Sequence, residues 1–361
     1  MLTIVADDLT GACDTGTLFA GLAPVAVTVW PQALTGTPVR VIDTESRAVE
    51  AAEAARRVAA VVGGRPDGRY FKKLDSTLRG HVGAEVDALL RALGGSGALL
   101  TPAFPAQGRT VLDRILLIDG VPLAETTGRP HPESPRLDTS NVVDLLRPGL
   151  DRPLAWIPIA EVRAGPAALA ARLTRLGGTV AVADAETDQD LDALVDAALA
   201  LDPAPLLIGA AGLGRALAAR LGLLAGGVAL PRGRWLIVAG SRHPVTRAQI
   251  VAARAAGLRV LASADGDNGD EERVARELGR EAARVLAREH IDLVAVSGGQ
   301  TAAGLYRALE AERIDLLGAP GPGLAYGQVQ RPGRPPLGLL TKAGGFGRPD
   351  VFVALMNGAV A

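Results

Sequence analysis

One pattern repeats along the chain. A short run of aliphatic and β-branched residues gives way to polar residues or glycine, and then to a longer stretch with apolar positions three and four apart. The short runs predict strands at 2–6, 24–29, 38–42, 69–74 and 97–101, and again at 154–159, 179–183 and 205–208. The longer stretches predict helices at 11–21, 46–62 and 80–93. Asp119-Gly120, between apolar runs at 115–118 and 121–123, is a hairpin signal, because that pair accepts the positive φ of a type I′ turn. The Pro-rich stretch TTGRPHPESPR at 126–136 reads as a loop, and LAGGVALPRGR at 224–234 reads as a linker.

Beyond that linker the alternation restarts. It predicts strand 235–239, helix 245–256, strand 258–262, helix 271–288, strand 291–296, helix 300–311, a short strand at 337–341 and a terminal helix near 349–357. The acidic ADGDNGD at 264–270 reads as a loop; it lacks the glycine and ligand spacing of an EF-hand. No internal repeat is visible. Strands alternating with helices predict an α/β protein, organised as two α/β domains, 1–230 and 231–361, with a ligand cleft between them.

Composition narrows the function. The 38 basic and 39 acidic residues leave a net charge of −1, and aromatics make up only 3%, which argues against a nucleic-acid partner. No apolar run approaches the ~18 residues of a membrane helix, the N-terminus lacks a basic leader, and a lone Cys13 forms no intrachain disulfide. The expected setting is cytoplasmic, without membrane or nucleic-acid partners; homo-oligomerisation is left open. Only three of the basic residues are lysines: Lys72, Lys73 and Lys342. Lysine is a compact point charge where arginine is a planar fork, so its survival in an arginine-biased chain marks places where arginine will not serve.

Five segments at predicted strand ends carry chemistry, the edge at which open α/β sheets bind ligands. ADDLTGACD places Asp7, Asp8 and Asp14 after the first strand. A helix cap explains one of these acids; a ligand rich in hydroxyls would engage all three. A haloacid-dehalogenase-type phosphatase would need an acid where Leu9 stands. FKKLDSTLRG sends Lys72 and Lys73 to opposite faces and gathers Asp75, Ser76, Thr77 and Arg79; lysine with arginine suits a carboxylate or phosphate. TPAFPAQGRT offers Gln107 and Arg109, or is simply a rigid connection. VAVSGGQTAAG runs a strand through Gly298-Gly299 straight into a helix carrying Gln300 and Thr301, a join that suits an anion without being a Walker A loop. LLTKAGGFGRPD sets Lys342 before Gly344 and Gly345; VAGSRHPVTRAQ, with Gly240, Ser241, Thr246 and Gln249, is a weaker companion. IGAAGLGRALAARL at 208–221 is an imperfect dinucleotide fingerprint, with Ala211 where a glycine belongs.

Taken in order, ADDLTGACD, KKLDSTLRG, PAFPAQGR, GSRHPVTRAQ, SGGQTA and KAGGFG resemble the four-carbon acid sugar kinase family, which includes the D-threonate, D-erythronate and 3-oxo-tetronate kinases. The resemblance implies a sugar-acid-binding N-terminal domain and an ATP-binding C-terminal domain. It puts the sugar site on Asp7, Asp8, Asp14, Lys73, Asp75, Ser76 and Arg79, joined by Gln107 and Arg109. It puts the nucleotide phosphates on Ser241, Gly298, Gly299, Gln300, Thr301 and Gly344, with Lys342 as a nearby point charge. The chain departs from the family pattern at Gln300, where glutamate is usual, and at Ala343-Gly344-Gly345, where Ser-Gly-Asn is usual. The implied reaction is phosphoryl transfer from ATP with Mg²⁺, in which Arg79 and Lys73 take the acid's carboxylate, Asp8 and Asp75 take its hydroxyls, and one of these aspartates orients or deprotonates the acceptor. No protein ligands for the metal are identified. The competing expectations are an NAD-dependent oxidoreductase built on 208–221 and a non-catalytic sugar-acid sensor.

Overall fold

A computed structural model of the chain describes residues 1–32, 36–63, 68–95, 97–126, 138–264 and 270–358; most of the loops expected at 126–136 and 264–270 lie outside these residues. The fold is mixed α/β, in two compact units: Met1–Asp7 with Pro38–Leu224, and Asp8–Thr37 with Ala225–Ala361. The chain crosses between the units three times, and the last crossing, from Leu224 to Ala225, falls at the start of the linker expected at 224–234. The first falls between Asp7 and Asp8, so that residues 8–37, which the sequence reading kept in the front half, are built into the second unit. The reason is a long-range pairing: Val25–Val29 runs antiparallel to Arg313–Gly318, with Val27 opposite Ile314.

The first unit is a parallel sheet in the order Val39–Asp43, Leu2–Ala6, Arg69–Lys73, Leu206–Gly209, Ala98–Thr101, Val180–Ala183, Leu154–Ile157. Leu2–Ala6 is buried throughout, as a strand covered by helices on both faces must be. From it the chain supplies neighbours first on one side (Val39–Asp43) and then on the other (Arg69–Lys73), with Leu2 opposite both Val39 and Arg69. That reversal is a topological switch point, and the carboxyl end of Leu2–Ala6 is the place at which such sheets bind ligands. Asp7, the turn after Asp43 and the turn after Lys73 all emerge there. The Asp119-Gly120 hairpin forms as predicted, with Ile118 opposite Val121 and φ of 50° and 81° at the turn.

In the second unit Arg259–Ala262, Trp235–Ala239, Leu293–Ser297 and Arg334–Lys342 are parallel, and the sheet continues antiparallel through Leu324–Arg331, Arg313–Gly318 and Val25–Val29. Its core gathers Trp235, Ile237, Leu293, Leu340 and Phe352. Register places Ala239 opposite Ser297 and Ser297 opposite Lys342, so the loops that follow these three strands leave the sheet side by side. Among the described residues no helix is long and apolar enough to cross a membrane.

One lysine serves the fold directly. Lys72 Nζ meets Glu85 Oε2 at 2.7 Å and donates to the Lys73 carbonyl, with both side chains of the pair almost fully buried. Removing one partner leaves a buried charge uncompensated. Lys72→Met is therefore expected to cost about 3–5 kcal/mol in urea unfolding, and Lys72→Met with Glu85→Leu to recover most of that loss. Equal instability of the single and double variants would contradict a net-neutral pair.

Candidate functional site

In the first unit, the turn after Val39–Asp43 is tied back to the first strand. Thr44 N and Oγ1 both donate to the Ala6 carbonyl, and Ser46 N and Arg47 N donate to the Asp7 carbonyl. This fastening delivers Arg47 to Asp7, which it grips through Nε at 2.7 Å and Nη2 at 2.9 Å. A matching fork stands one strand over. Arg79 holds Asp75 through Nε at 2.9 Å and Nη2 at 2.6 Å, and Thr77 donates to the same carboxylate through its N–H and its hydroxyl. The two forks communicate, since Arg47 Nη2 lies 3.8 Å from Asp75 Oδ1.

Burial alone would push both carboxyls up. For Asp7 the guanidinium of Arg47, aided by Lys72 and Lys73, reverses this and holds it below the usual carboxylate range. For Asp75, Arg79, Arg47 and the Thr77 hydroxyl hold it well below. Both are acceptors only, ready for hydroxyl donors. Burial lowers Arg109 while the charges of Asp119 and Asp75 oppose that shift, which brings this hairpin arginine within electrostatic reach of Asp75. Its guanidinium also donates to the Gln107 carbonyl.

Lys73 completes the cluster and differs from its neighbours. The residue is only 5% exposed, and its ammonium makes no hydrogen bond or ion pair with any described residue, although its charge acts on Asp7. Two carboxylates thus face Arg47, Arg79 and Lys73, which leaves one positive charge in excess. Holding a charge on a largely buried side chain without a partner carries a desolvation cost. An incoming carboxylate would supply what is missing.

In the second unit, Asp8 is the N-cap of helix Leu9–Thr17: Oδ1 accepts from Gly11 N at 2.9 Å and Oδ2 accepts from Thr10 Oγ1 at 2.8 Å. The cap and ligand readings are not exclusive, because the glycine turn of 298–299 lies against the same carboxylate. A Cβ on Gly299 would sit 2.3 Å from Asp8 Oδ2 and 3.2 Å from Thr10 Oγ1, so a side chain there would push the Asp8 carboxylate aside. Gly298, at φ 102°, opens helix Gly299–Ala308, whose first turn carries Gln300 and the buried Thr301. Ser241 packs against Gly298 and Gly344, so the three neighbouring loops do converge.

Three sequence expectations change. Asp8 and Asp14 belong to the helix built into the second unit, beside the glycine turn in the case of Asp8, rather than to the unit holding Asp7 and Asp75. Lys342 turns inward: its Nζ donates to the carbonyls of Ala343, Gly344 and Phe346 instead of standing as a point charge at a loop surface. The dinucleotide reading of 208–221 has a packing explanation. A Cβ on Gly209 would meet Leu213 and the Thr101 carbonyl within 2.8 Å, and one on Gly212 would meet the Ala103 carbonyl at 3.0 Å. Ser76 and Gln107 lie half-buried in the turns that carry Asp75 and Arg109. Among the described residues no cluster of three or more His, Cys, Asp or Glu side chains suits a metal ion.

Sequence reasoning misses Arg47, because 46–62 predicts one helix; the helix starts at Ala51 and the polar DTESR before it is the turn. That stretch follows a predicted strand, as the other five segments do.

The depressed carboxyls set a direction for acid stability. Each binds its proton less readily folded than unfolded, so its stabilisation is complete above the ordinary aspartate value of 3.8 and is lost as pH falls below it toward the folded value. The melting temperature is expected to drop through that window, and less steeply in Asp75→Asn. An identical slope in the two proteins would contradict the ionised, clamped Asp75.

Comparison with known proteins matches two domain models in succession along the chain. Residues 2–217 match the model of a sugar-binding N-terminal domain and residues 255–352 that of a nucleotide-binding C-terminal domain. The chain is 34% identical to the D-threonate kinase of Bordetella bronchiseptica, over 97% of this chain and 95% of that protein. It is 34% identical to the D-erythronate kinase of Heliobacterium modesticaldum (87% and 74%) and 30% identical to the 3-oxo-tetronate kinase of Burkholderia multivorans (98% and 96%). A solved structure from Salmonella typhimurium LT2 superposes with a TM-score of 0.80 at 24% identity over 98% of each chain, a likeness of fold. A Bordetella bronchiseptica protein solved with bound citrate as a domain-swapped dimer is 29% identical, with a TM-score of 0.50 over 100% of this chain and 99% of that one. With charged forks in one unit, glycine turns in the other and these relatives across nearly its whole length, the chain belongs to the four-carbon acid sugar kinase family and is a phosphotransferase.

Proposed function

We propose that the protein transfers the γ-phosphoryl group of ATP, as its Mg²⁺ complex, to a hydroxyl of a four-carbon sugar acid of the threonate, erythronate or 3-oxo-tetronate class. The observation that carries this reading is Lys73, a largely buried side chain whose ammonium has no hydrogen-bond or ion-pair partner among the described residues, beside two carboxylates that are kept ionised. A sugar acid matches that set, its carboxylate going to Lys73 with Arg79 or Arg109 and its hydroxyls donating to Asp7 and Asp75. The citrate held by the Bordetella relative supports an acidic ligand, and that protein's domain-swapped dimer supports a homo-oligomer here.

The second unit suits the phosphates. The Gly298-Gly299 turn is a cradle that a side chain would fill, and the first N–H groups of helix Gly299–Ala308 favour negative charge. Mg²⁺, carried in on the nucleotide's phosphates, would offset the charge on the transferring group. In the transfer, the acceptor oxygen forms the new P–O bond, the bond from Pγ to the bridging oxygen breaks to release ADP, and the acceptor's proton passes to an aspartate. Asp8 is the aspartate already beside the phosphate turn. Such chemistry is chiefly positioning and charge compensation, which is what fixed forks and a preset turn provide.

With Mg-ATP, ADP release is expected only when a four-carbon sugar acid is present. Lys73→Met is expected to raise the KM for the acid about tenfold to a hundredfold with little change for ATP, and Asp8→Asn to lower kcat by about 10²–10⁴. Acid binding without turnover would leave a sensor, and an unchanged acid KM in Lys73→Met would remove the basis of the proposal.

A further inference from the structure

The turn that follows strand Arg334–Lys342 is held from one side by three side chains. Lys342 Nζ donates to the carbonyls of Ala343 (2.7 Å), Gly344 (3.2 Å) and Phe346 (2.9 Å). Thr246 Oγ1 donates to the Gly344 carbonyl at 2.6 Å. Gln249 Nε2 donates to the carbonyls of Phe346, Gly347 and Arg348 at 3.0, 3.1 and 3.0 Å. All three side chains are buried, and Thr246 and Gln249 project from the single helix Pro244–Ala255. Every carbonyl from 343 to 348 except that of Gly345 is engaged this way.

A planar trans peptide points its N–H opposite to its carbonyl. Carbonyls drawn inward therefore turn the N–H groups of Gly344, Gly345, Gly347 and Arg348 outward. None of these four donates to any described residue; Phe346 N, by contrast, closes back on the Ala343 carbonyl. Four N–H groups without acceptors among the described residues, on a turn lying against Ser241 next to the Gly298 turn, are donors of the kind that an anion takes up. Burial pushes the Lys342 ammonium down to about 7, while three carbonyl acceptors satisfy all three of its N–H bonds and act the other way.

We propose that Lys342, Thr246 and Gln249 are positioning residues that preset the 343–348 turn with its N–H groups facing the nucleotide's phosphates, and that Lys342 acts through the turn without touching phosphate. This rests on the kinase reading above. It gives Thr246 and Gln249 a shared task, and it explains why lysine, with three donors on one atom, stands where arginine is otherwise preferred.

Calorimetric titration of the whole protein with ADP, and separately with D-erythronate or D-threonate, tests the proposal. Lys342→Met, Gln249→Leu and Thr246→Val are each expected to weaken ADP about tenfold or more and to leave sugar-acid affinity within about twofold, and Thr246→Ser, which keeps the hydroxyl, to retain wild-type ADP affinity. Thr246→Val and Thr246→Ser are near-isosteric, so this pair stays informative even if Lys342→Met does not fold. Loss of ADP affinity in Lys342→Met alone, with Thr246→Val and Gln249→Leu unchanged, would mean direct phosphate contact and overturn the proposal; so would wild-type ADP affinity in all three. A wild-type protein that binds no ADP would instead defeat the kinase reading itself.

Discussion

A buried charge must find a partner, and that requirement organises this molecule. Lys72 meets Glu85 inside the first unit. Asp7 and Asp75 are each gripped by an arginine fork at the carboxyl end of the sheet. Lys342 spends its ammonium on three carbonyls of its own turn. Lys73 is the exception, buried and unpaired among the described residues. Evolution tolerates such a cost where a ligand removes it, so the exception is more informative than the rule.

Topology brings the partners together. In the first unit, the switch of direction around Leu2–Ala6 sets the turns after two flanking strands on either side of Asp7. In the second, register alone aligns Ala239, Ser297 and Lys342, and so the three loops that follow. Residues far apart in the chain need no long side chains to meet; they ride on strand ends whose positions the sheets have already fixed. The first change of unit falls within an acidic pair, because Asp7 belongs to the unit of arginine forks and Asp8 to the unit of glycine turns.

Much of this was readable from the chain. Fully buried parallel strands declare themselves as apolar runs, which is why the runs at 2–6 and 235–239 coincide with Leu2–Ala6 and Trp235–Ala239, and glycine at 299 leaves room for the Asp8 carboxylate. The antiparallel meander of Arg313–Gly318, Leu324–Arg331 and Arg334–Lys342 is not, apart from 337–341, because Arg313 and Asp315 alternate with buried Ile314 and Leu316, and the glycine, glutamine and arginine of 327–331 and the Arg-Pro-Pro of 334–336 cut the apolar runs short. Arg47 escaped because a turn of polar residues before a helix reads as the helix itself. The scarcity of lysine was a sound signal whose meaning differed at each position: an ion pair at Lys72, a clamp at Lys342, an open charge at Lys73. Only the partners, which lie elsewhere in the chain, distinguish the three.

That scarcity also provides the sharpest measurement. With three lysines in the chain, ¹³C-lysine labelling gives three side-chain signals, each assignable by its loss in the corresponding methionine variant. On titration with a four-carbon sugar acid alone, the account expects the Lys73 signal to shift with saturation while those of Lys72 and Lys342 stay in place. A Lys73 signal that ignores saturating concentrations of the acid that the protein phosphorylates would contradict the account at its centre.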